Sequence, residues 1–271
     1  MSFAVSADAY GRFMGRYSRP LATAFLDELG PRIGHRILDV GCGPGAVTEA
    51  LVGRVDPSGI HAVDPSVGFV RAVRDALPVT AAAAVAERLP FADGVFDAAL
   101  AQLVVHFMTD PVVGLREMAR VTAPGGLVAA SVWDHADGGS PLSTFWRAAR
   151  DLDPAAPDES RLPGAARGQL QRLSEAADWV DIVESALAVD VRHPGFDEWW
   201  EPFTLGVGPA GAYVAGLSDA ARGELRARCR DAVPDGSFVV RAKAWLVVGS
   251  SPVSGHGQSA RRWPDATGPR R

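Results

Sequence analysis

One short segment, an apolar strand that runs into a glycine-rich turn, constrains the fold of this chain more than any other. Residues 36–40 read Arg-Ile-Leu-Asp-Val, and glycines follow at the alternate positions 41, 43 and 45. An amphipathic stretch at 46–51 begins directly after the turn. A Cβ in such a turn would block both the tight bend and the close approach of a ligand, so glycine is required. A strand, a glycine turn and a helix in this order predict a nucleotide-binding unit.

The rest of the chain continues this alternation of strands and helices. The clearest helix start is Asp110-Pro111, where an N-cap acid precedes proline at the first helical position. Predicted strands and helices at this spacing indicate right-handed βαβ units and a parallel sheet. The strands are predicted at 36–41, 59–64, 79–85, 96–102, 127–133, 180–191 and 238–249, and the helices near 20–29, 66–76 and from 111 onward.

The last strand has one partly polar face, which is typical of a sheet edge or of an antiparallel hairpin partner. We therefore predict an α/β fold with a doubly wound, seven-stranded and mostly parallel sheet that ends in an antiparallel C-terminal strand. Residues 134–178 read as loop and helix, which predicts a helical insertion after the fifth strand.

Composition and charge exclude several classes of function. The chain has 271 residues, 47% hydrophobic and 22% charged, with a net charge of −5. An acidic balance argues against a nucleic-acid partner, which needs a basic face. No apolar stretch approaches the roughly 20 residues of a membrane helix. Cys42 and Cys229 lie far apart and form no metal-binding pattern, so we expect no metal site and a reducing, cytoplasmic location.

The second predicted strand ends in an acid, and the position of this acid helps to identify the nucleotide that the turn binds. Asp64 lies about 20 residues beyond the turn, where a carboxylate at the tip of the neighbouring strand accepts both hydroxyls of an adenosine ribose. Gly41, Gly43 and Ala46 also satisfy the dinucleotide pattern G-x-G-x-x-G/A. Two features argue against a dinucleotide. Asp39 lies near where a pyrophosphate would bind, and the third glycine, Gly45, comes one position too early for the dinucleotide pattern. Asp39 is better suited to a cationic amino group.

Five ordered motifs within residues 36–133 resemble those of class I S-adenosylmethionine-dependent methyltransferases, and the N-terminal segment 10–17 resembles the opening of the small-molecule members. The resemblance implies a Rossmann-like fold and S-adenosylmethionine as the cofactor. The matching segments are Leu-Asp-Val-Gly-Cys-Gly-Pro-Gly at 38–45, Ala-Val-Asp at 62–64, Ala-Glu-Arg-Leu-Pro-Phe at 86–91, Phe-Asp at 96–97, and Glu117 with Arg120-Val121 and Pro-Gly-Gly at 124–126.

The resemblance also implies which residues surround the cofactor. One group surrounds its methionine half: Tyr17 over it, Asp39 near its amino group, Gly41, Cys42 and Gly43 along its backbone path, Gln102 toward the sulfonium, and Arg12, Arg16 or Arg19 toward its carboxylate. A second group surrounds its adenosine: Asp64 at the ribose, Pro65 and Ser66 beside the adenine, and Ala86 and Glu87 on the other side. Val85 departs from the family, because many relatives carry an acid there.

Methyl transfer from a sulfonium needs alignment and a dry pocket more than a universal catalytic residue. His106 follows the fourth predicted strand and His135 the fifth, which places both near the carboxyl edge of the sheet where ligands bind. Either histidine is a candidate catalytic residue that takes a proton from a hydroxyl acceptor. His61 lies within a strand, and we expect it to be structural.

These patterns lead to one main hypothesis and two alternatives. We expect methyl transfer to a small organic acceptor through an O-, N- or C-nucleophile. The alternatives are an NAD(P)-dependent oxidoreductase and a non-catalytic S-adenosylmethionine-binding protein. The predicted organisation is an N-terminal helical cap at 1–30, a methyltransferase domain at 31–250 and a disordered tail at 251–271. Within that domain, 36–133 bind the cofactor and 134–235 form a substrate lid, with aromatic residues at 196–213.

Overall fold

A computed structural model describes residues 7–157 and 159–253 of the chain. The strands are β1 (Ile37–Val40), β2 (Ile60–Asp64), β3 (Thr80–Ala83), β4 (Phe96–Gln102), β5 (Thr122–Trp133), β6 (Val180–His193) and β7 (Phe238–Ser250). The helices are α1 (Ala7–Tyr10), α2 (Arg16–Leu29), α3 (Ala46–Val52), α4 (Val67–Ala76), α5 (Pro111–Val121), α6 (Ser143–Leu152), α7 (Gln169–Ala176), α8 (Phe196–Trp200), α9 (Gly208–Gly216) and α10 (Asp219–Asp231).

The seven strands form one sheet in the order β3-β2-β1-β4-β5-β7-β6. The first five strands are parallel, and β7 runs antiparallel to both β5 and β6. The predicted fold class is confirmed. The alternative that the last strand forms a sheet edge is wrong, because β7 lies between two partners and β6 forms the edge. The polar residues of β7 are paired instead: Lys243 Nζ lies 2.6 Å from Asp134 Oδ2, and Arg241 faces Asp190 of β6.

Helices cover both faces of the parallel strands, which explains why those strands are apolar without interruption. Ile37 and Leu38 are both fully buried, and they belong to separate apolar cores on opposite faces of the sheet. The Ile37 face packs against α2, α3 and the aromatic residues of the insertion. The Leu38 face packs against α5 and α7. This arrangement leaves the carboxyl edge of the strands to form a site.

Two element boundaries differ from the sequence prediction for local physical reasons. The N-terminal helix begins at Arg16, after a π-helical turn at Gly11–Gly15, and continues through Pro20. Pro20 is the fifth residue of this helix, and it has no N–H to donate to Arg16 O. The fifth strand begins at Thr122 because the Pro-Gly-Gly segment extends and pairs: Gly125 N donates to Ser251 O, and Ser251 N donates to Gly126 O.

Other features agree with the prediction or lie beyond it. Asp110 caps α5 by accepting a bond from Val113 N at 3.1 Å, as predicted. The predicted tail at 251–271 and cap at 1–30 include residues 254–271 and 1–6, which lie outside the described residues. Ser251 itself is buried. Within the described ranges, no helix is long and apolar enough to cross a membrane.

Candidate functional site

The carboxyl ends of β1, β2 and β4 meet at one edge of the sheet, and the glycine turn lies there. Val40 is paired with Val63 on β2, and Asp39 with Leu100 on β4. Beyond β1 the turn stays attached to β2, because the amides of Gly41 and Cys42 both donate to Val63 O, at 2.7 and 2.9 Å. The turn is therefore held by the sheet before any ligand binds.

Two glycines of the turn are required for different reasons. Gly41 (φ +70°) packs closely on the segment that follows β4. A Cβ at this position would lie 2.5 Å from both methyl groups of Val104. Gly43 (φ +53°) also has the left-handed conformation that favours glycine, but nothing lies within 4 Å of its Cβ position. Gly43 lines a cavity. An added methyl group there would point into open space that a ligand can occupy.

Asp64 joins the turn to the end of β2. Its Oδ2 accepts a bond from Gly43 N at 2.9 Å, and its Oδ1 accepts one from Ser66 N at 2.8 Å. Burial raises the pKa of Asp64, while these two backbone bonds oppose the rise. A carboxylate oxygen has two lone-pair directions, so each oxygen keeps the capacity to accept a ribose hydroxyl.

Two further polar side chains lie deeper in the same place. Asp39 is buried and accepts a 2.6 Å bond from Thr48 Oγ1. Burial raises the pKa of Asp39 to about 7, and the nearby Asp64 adds to the rise. Gln102 donates through Nε2 to Ser18 O at 2.9 Å, whereas its buried Oε1 has no hydrogen-bond partner among the described atoms. Most buried polar atoms in proteins have a hydrogen-bond partner, so the Gln102 Oε1 is available to a ligand or to an ordered water.

A cavity, here called the turn cavity, opens beside these residues. Its only ionisable carboxylates are Asp39 and Asp64, and no Lys, Arg or His of the described chain lines it. It therefore attracts a cationic group and repels a pyrophosphate, which disfavours the dinucleotide alternative. The amino group and sulfonium of S-adenosylmethionine are cationic. The residues present thus fit that cofactor.

The turn cavity brings together seven of the cofactor residues predicted from sequence: Asp39, Gly41, Cys42, Gly43, Asp64, Pro65 and Gln102. It also includes residues that sequence reasoning missed as cofactor contacts, namely Tyr10, Phe69, Val104 and Phe107. The rings of Tyr10 and Phe69 meet edge to face, 5.7 Å apart. Tyr10 lies in the N-terminal segment that carried the family resemblance, which was the available signal.

Tyr17 does not line the turn cavity. Its buried hydroxyl lies 2.8 Å from His193 Nε2, because α2 already begins at Arg16 and directs residue 17 toward β6. The arginines predicted for the cofactor carboxylate are also engaged elsewhere: Arg12 with Glu201, Arg16 with Glu198 and Arg19 with Glu49.

Three residues predicted beside the adenine have structural contacts in this conformation. Ser66 Oγ caps α4 by accepting a bond from Phe69 N. Ala86 is buried near Met108 and Gly114. Glu87 Oε1 accepts bonds from the amides of Thr109 and Asp110, at 2.7 and 3.3 Å, and so holds the loop before α5. None of the three is among the residues that line the turn cavity.

A second cavity lies against the turn cavity, and Tyr10, Leu103 and Phe107 line both. We call it the adjacent cavity. Leu103 has a φ of +62°, which is rare for a branched side chain, and its amide donates to Ser131 O at 2.8 Å. Strained backbone of this kind persists where the surroundings impose it, often at functional sites. Here the strained residue, Leu103, lies between the two cavities and lines both of them.

The adjacent cavity contains both histidines predicted from sequence. The rings of His106 and His135 lie 5.8 Å apart. Burial, and then His135, lower the pKa of His106 well below its ordinary range. Glu159, which sequence reasoning missed, is also buried; its Oε2 accepts a 2.8 Å bond from Trp146 Nε1 and lies 3.9 Å from His135 Nδ1. As an isolated acid in the insertion, Glu159 carried no sequence signal.

Other predicted features are structural. His61 packs edge to face on Phe91 and Phe96, as expected. Trp199 and Phe203 pack at 5.0 Å, and Phe203 stacks on Phe145 at 4.5 Å, so the aromatic residues at 196–203, which follow β6, pack against the insertion. Of the stretch at 196–213 that was predicted to cover the substrate, only residues 207–209 line the adjacent cavity. Across the described residues there is no group of three or more His, Cys, Asp or Glu suited to a metal ion.

Comparison with known proteins agrees with this geometry. Residues 38–130 match the methyltransferase domain family. An uncharacterized methyltransferase of Mycobacterium tuberculosis is 38% identical over 139 residues, which are 51% of this chain and 54% of that protein. A demethylmenaquinone methyltransferase of Beutenbergia cavernae is 41% identical over 104 residues, 38% of this chain and 42% of that protein. The chain thus spans about half the length of the curated relatives it matches.

Solved structures share the fold over most of the chain. The YcgJ protein of Bacillus subtilis superposes with a TM-score of 0.55 at 21% identity and covers 87% of this chain and 100% of its own. The fold, the anionic glycine-turn site and the sequence match lead to the same assignment. Residues 38–130 of this chain therefore form a methyltransferase domain, and they are similar to the corresponding region of class I S-adenosylmethionine-dependent methyltransferases.

Proposed function

We propose that this protein transfers a methyl group from S-adenosylmethionine to a small organic acceptor bound in the adjacent cavity. The observation that carries the proposal is the position of two unlike cavities side by side. One is lined by two buried acids and a glycine turn, the other mostly by apolar side chains, and Tyr10, Leu103 and Phe107 line both. A donor and an acceptor bound in them meet at this common wall.

The names of relatives support a small acceptor. Besides the demethylmenaquinone methyltransferase, a malonyl-[acyl-carrier protein] O-methyltransferase of Halorhodospira halophila is 33% identical over 133 residues, 47% of this chain and 45% of that protein. A net charge of −5 gives no support for a nucleic-acid partner. The described cysteines, Cys42 and Cys229, are both free thiols, which suits the cytoplasmic location we propose.

In this proposal each residue of the turn cavity has a defined part. S-adenosylmethionine supplies a methyl group already activated on a sulfonium. Asp39 binds its amino group, Asp64 its ribose hydroxyls, and Gln102 directs its unpartnered Oε1 toward the cation. The backbone at Gly41, Cys42 and Gly43 lies along the methionine half. We keep Pro65 beside the adenine, and we propose that Ser66, Ala86 and Glu87 act by holding the loops around it.

The proposed division of labour along the chain follows the same geometry. Residues 36–133 supply the cofactor site, and the segments on either side, 1–30 and 134–235, close the acceptor site. Phe13 and Met14 from the first segment and Leu142 and Val207 from the second line the adjacent cavity. His106 or His135 takes a proton from the acceptor when the attacking group must lose one.

Binding and turnover experiments test the proposal. We expect titration calorimetry to show binding of S-adenosylhomocysteine and none of NADH, because a pyrophosphate would face Asp39 and Asp64. Binding of NADH in preference would support the oxidoreductase alternative and overturn the proposal. A structural neighbour, the [4+2]-cyclase SpnF, superposes with a TM-score of 0.54 at 22% identity, so the fold alone does not establish methyl transfer.

Turnover therefore needs its own measurement. We expect transfer of a radiolabelled methyl group from S-adenosylmethionine to at least one member of a panel of small hydroxylated, amino and enolic acceptors. Tight binding of the cofactor with no labelled product from any class would favour the alternative of a non-catalytic binding protein.

A further inference from the structure

We infer that the indole N–H of Trp133 is a hydrogen-bond donor for the methyl acceptor in the adjacent cavity, and that it selects an acceptor with a carbonyl oxygen. The inference rests on the proposed function, because it names the acceptor class for that site. It follows from a buried nitrogen atom without a partner, from the fixed position of its ring and from the direction of the hydrogen bond that an indole makes.

Trp133 differs from other buried tryptophans because its indole N–H is unsatisfied. The residue is 2% exposed, and its Nε1 has no hydrogen-bond partner among the described atoms. Buried polar groups are rarely left in this state. Three other buried tryptophans do donate: Trp146 to Glu159 Oε2 at 2.8 Å, Trp179 to Leu115 O at 2.9 Å and Trp245 to Asp134 Oδ1 at 3.3 Å. Of these four rings, only that of Trp133 lines the adjacent cavity.

The sheet fixes the position of Trp133. It is the last residue of β5, where it pairs with Ala244 of β7, and its carbonyl accepts a 2.9 Å bond from His135 N. Two residues earlier on the same strand, Ser131 O accepts a 2.8 Å bond from the amide of Leu103, which lines both cavities. Trp133 is therefore held at the end of the sheet that borders the cofactor site before an acceptor binds.

The chemistry of the indole determines which ligand atom it can bind. An indole N–H donates a hydrogen bond and cannot accept one. The other polar side chains that line the cavity in the described chain contain an oxygen or imidazole nitrogen that can accept; they are Tyr10, His106, His135 and Glu159. The matching group for Trp133 is an atom that only accepts, and a carbonyl oxygen is such an atom. A hydroxyl also accepts, but its own proton then needs a partner.

Shielding from water makes this hydrogen bond selective. Nε1 is shielded from solvent, and Phe13, Leu142 and Val207 are apolar walls of the same cavity. In such surroundings a hydrogen bond is stronger than in water, and a polar group without a partner costs more. A ligand of the same shape without the oxygen leaves the N–H unsatisfied. Met14 lines the same cavity, and its unbranched side chain can move to let a ligand oxygen reach Nε1.

Proton–nitrogen correlation spectra of the isotope-labelled full chain test this contact directly, because each indole N–H gives its own signal. The probes are acetophenone, ethylbenzene and 1-phenylethanol, which share a benzene ring and a two-carbon substituent and differ in the oxygen. We expect acetophenone to move the Trp133 indole proton downfield, 1-phenylethanol to move it less and ethylbenzene to leave it in place. The Trp179 signal is the internal control and should not move, because that indole already donates to Leu115 O.

Three outcomes would overturn the inference. If the Trp133 signal does not move downfield with acetophenone up to its solubility limit, the N–H has an ordered water only, or no partner. An equal movement with ethylbenzene would show that the oxygen makes no contact with the indole. An equal or larger movement with 1-phenylethanol would contradict the carbonyl class.

Binding constants from the same titrations assign the selectivity to Trp133. Each probe is compared between parent and variant, because acetophenone and ethylbenzene differ in hydration. Trp133→Phe removes the N–H and should weaken acetophenone binding at least about fivefold more than ethylbenzene binding, or about 1 kcal/mol. Trp179→Phe is the matched control and should change the two affinities equally. Equal losses for both probes in Trp133→Phe would refute the role of Trp133. If that variant does not fold by circular dichroism, the movement of the Trp133 signal in the parent, assigned from nuclear Overhauser contacts, decides alone.

A calorimetric titration with S-adenosylhomocysteine on the same protein separates this inference from the proposed function. Failure of that titration counts against the function as a whole. Binding of S-adenosylhomocysteine together with a Trp133 signal that ignores acetophenone counts against the acceptor class alone.

Discussion

Asp64 Oδ2 accepts a 2.9 Å hydrogen bond from the backbone amide of Gly43, so the acid at the end of β2 holds the middle of the glycine turn after β1. This one contact joins two segments that are 21 residues apart in the chain. It orients the turn and the carboxylate together, before a ligand arrives. We expect substitutions at either residue to affect the cofactor site as a unit.

The first prediction concerns the carboxylate itself. Asp64→Ala removes the acceptor for Gly43 N and the proposed charge-assisted bond to the ribose, which is worth roughly 1.5–3 kcal/mol. We expect the affinity for S-adenosylhomocysteine, measured by calorimetry, to fall about 10- to 100-fold. Asp75→Ala, an exposed acid on α4, is the control and should bind normally. An unchanged affinity in Asp64→Ala would contradict the proposal that Asp64 binds the ribose.

The second prediction separates two glycines of the same turn. Gly43→Ala should cost about 1–2 kcal/mol of stability, because of its left-handed conformation, and should weaken cofactor binding at least about tenfold. Gly41→Ala should destabilise the fold more, since its Cβ would lie 2.5 Å from Val104. Denaturant unfolding with calorimetry measures both effects. Adding Val104→Ala should recover part of the stability of Gly41→Ala; no recovery would contradict the proposed clash.

The third prediction concerns pH and stability. Burial raises the pKa of Asp39 from 3.8 to about 7, so the folded protein holds a proton that the unfolded chain releases. The stabilising contribution is therefore fully present below pH 3.8 and is lost as pH rises through 7, at up to about 1.4 kcal/mol per pH unit. Compared with the parent, Asp39→Asn should gain relative stability from pH 4 to about 7. Parallel pH–stability curves would refute this assignment.

The fourth prediction concerns pH and binding at the same residue. A cationic amino group prefers the ionised form of Asp39, so the parent's affinity for S-adenosylhomocysteine should rise as pH increases toward about 7 and level off above it. Asp39→Asn should bind more weakly above pH 7 and show a flatter profile. Asp64 also titrates with a raised pKa in both proteins, so the difference between the two profiles is the relevant quantity.

The fifth prediction distinguishes two tyrosines. Tyr10→Ala should lower the affinity for S-adenosylhomocysteine roughly tenfold, because Tyr10 lines both cavities. Tyr17→Phe should leave that affinity within about twofold but should cost about 1–2 kcal/mol of stability, since it removes the buried bond to His193. The opposite result, with binding lost only in Tyr17→Phe, would restore the role for Tyr17 that its sequence position suggested.

The fold and the centre of the cofactor site were predictable because their signals are local. Strand–helix alternation gave the seven strands, and the left-handed glycines and the strand-end acid Asp64 meet because parallel neighbours end at the same edge. His106 and His135 were found by the same rule, each following a strand that ends there. These predictions needed only the order of elements.

Predictions that depended on the phase of a helix or on a long-range contact were less successful. The sequence suggested a helix from residue 20, whereas α2 begins at Arg16 after a π-helical turn, which sends Tyr17 toward His193 and leaves Tyr10 in the cavity. Glu87 looked like a ligand contact, yet its carboxylate holds the amides of Thr109 and Asp110. In both cases the deciding partner is remote in sequence.

The sequence by itself determined the parallel sheet, the glycine turn and the acids Asp39 and Asp64 that make the turn cavity anionic. Each of these depends on residue type and on spacing within one or two elements. Only the tertiary structure decided what the acceptor meets, because the adjacent cavity draws Phe13, His106, Glu159 and Val207 from four separate segments. Their meeting depends on how the insertion packs on the sheet, and no local pattern encodes that packing.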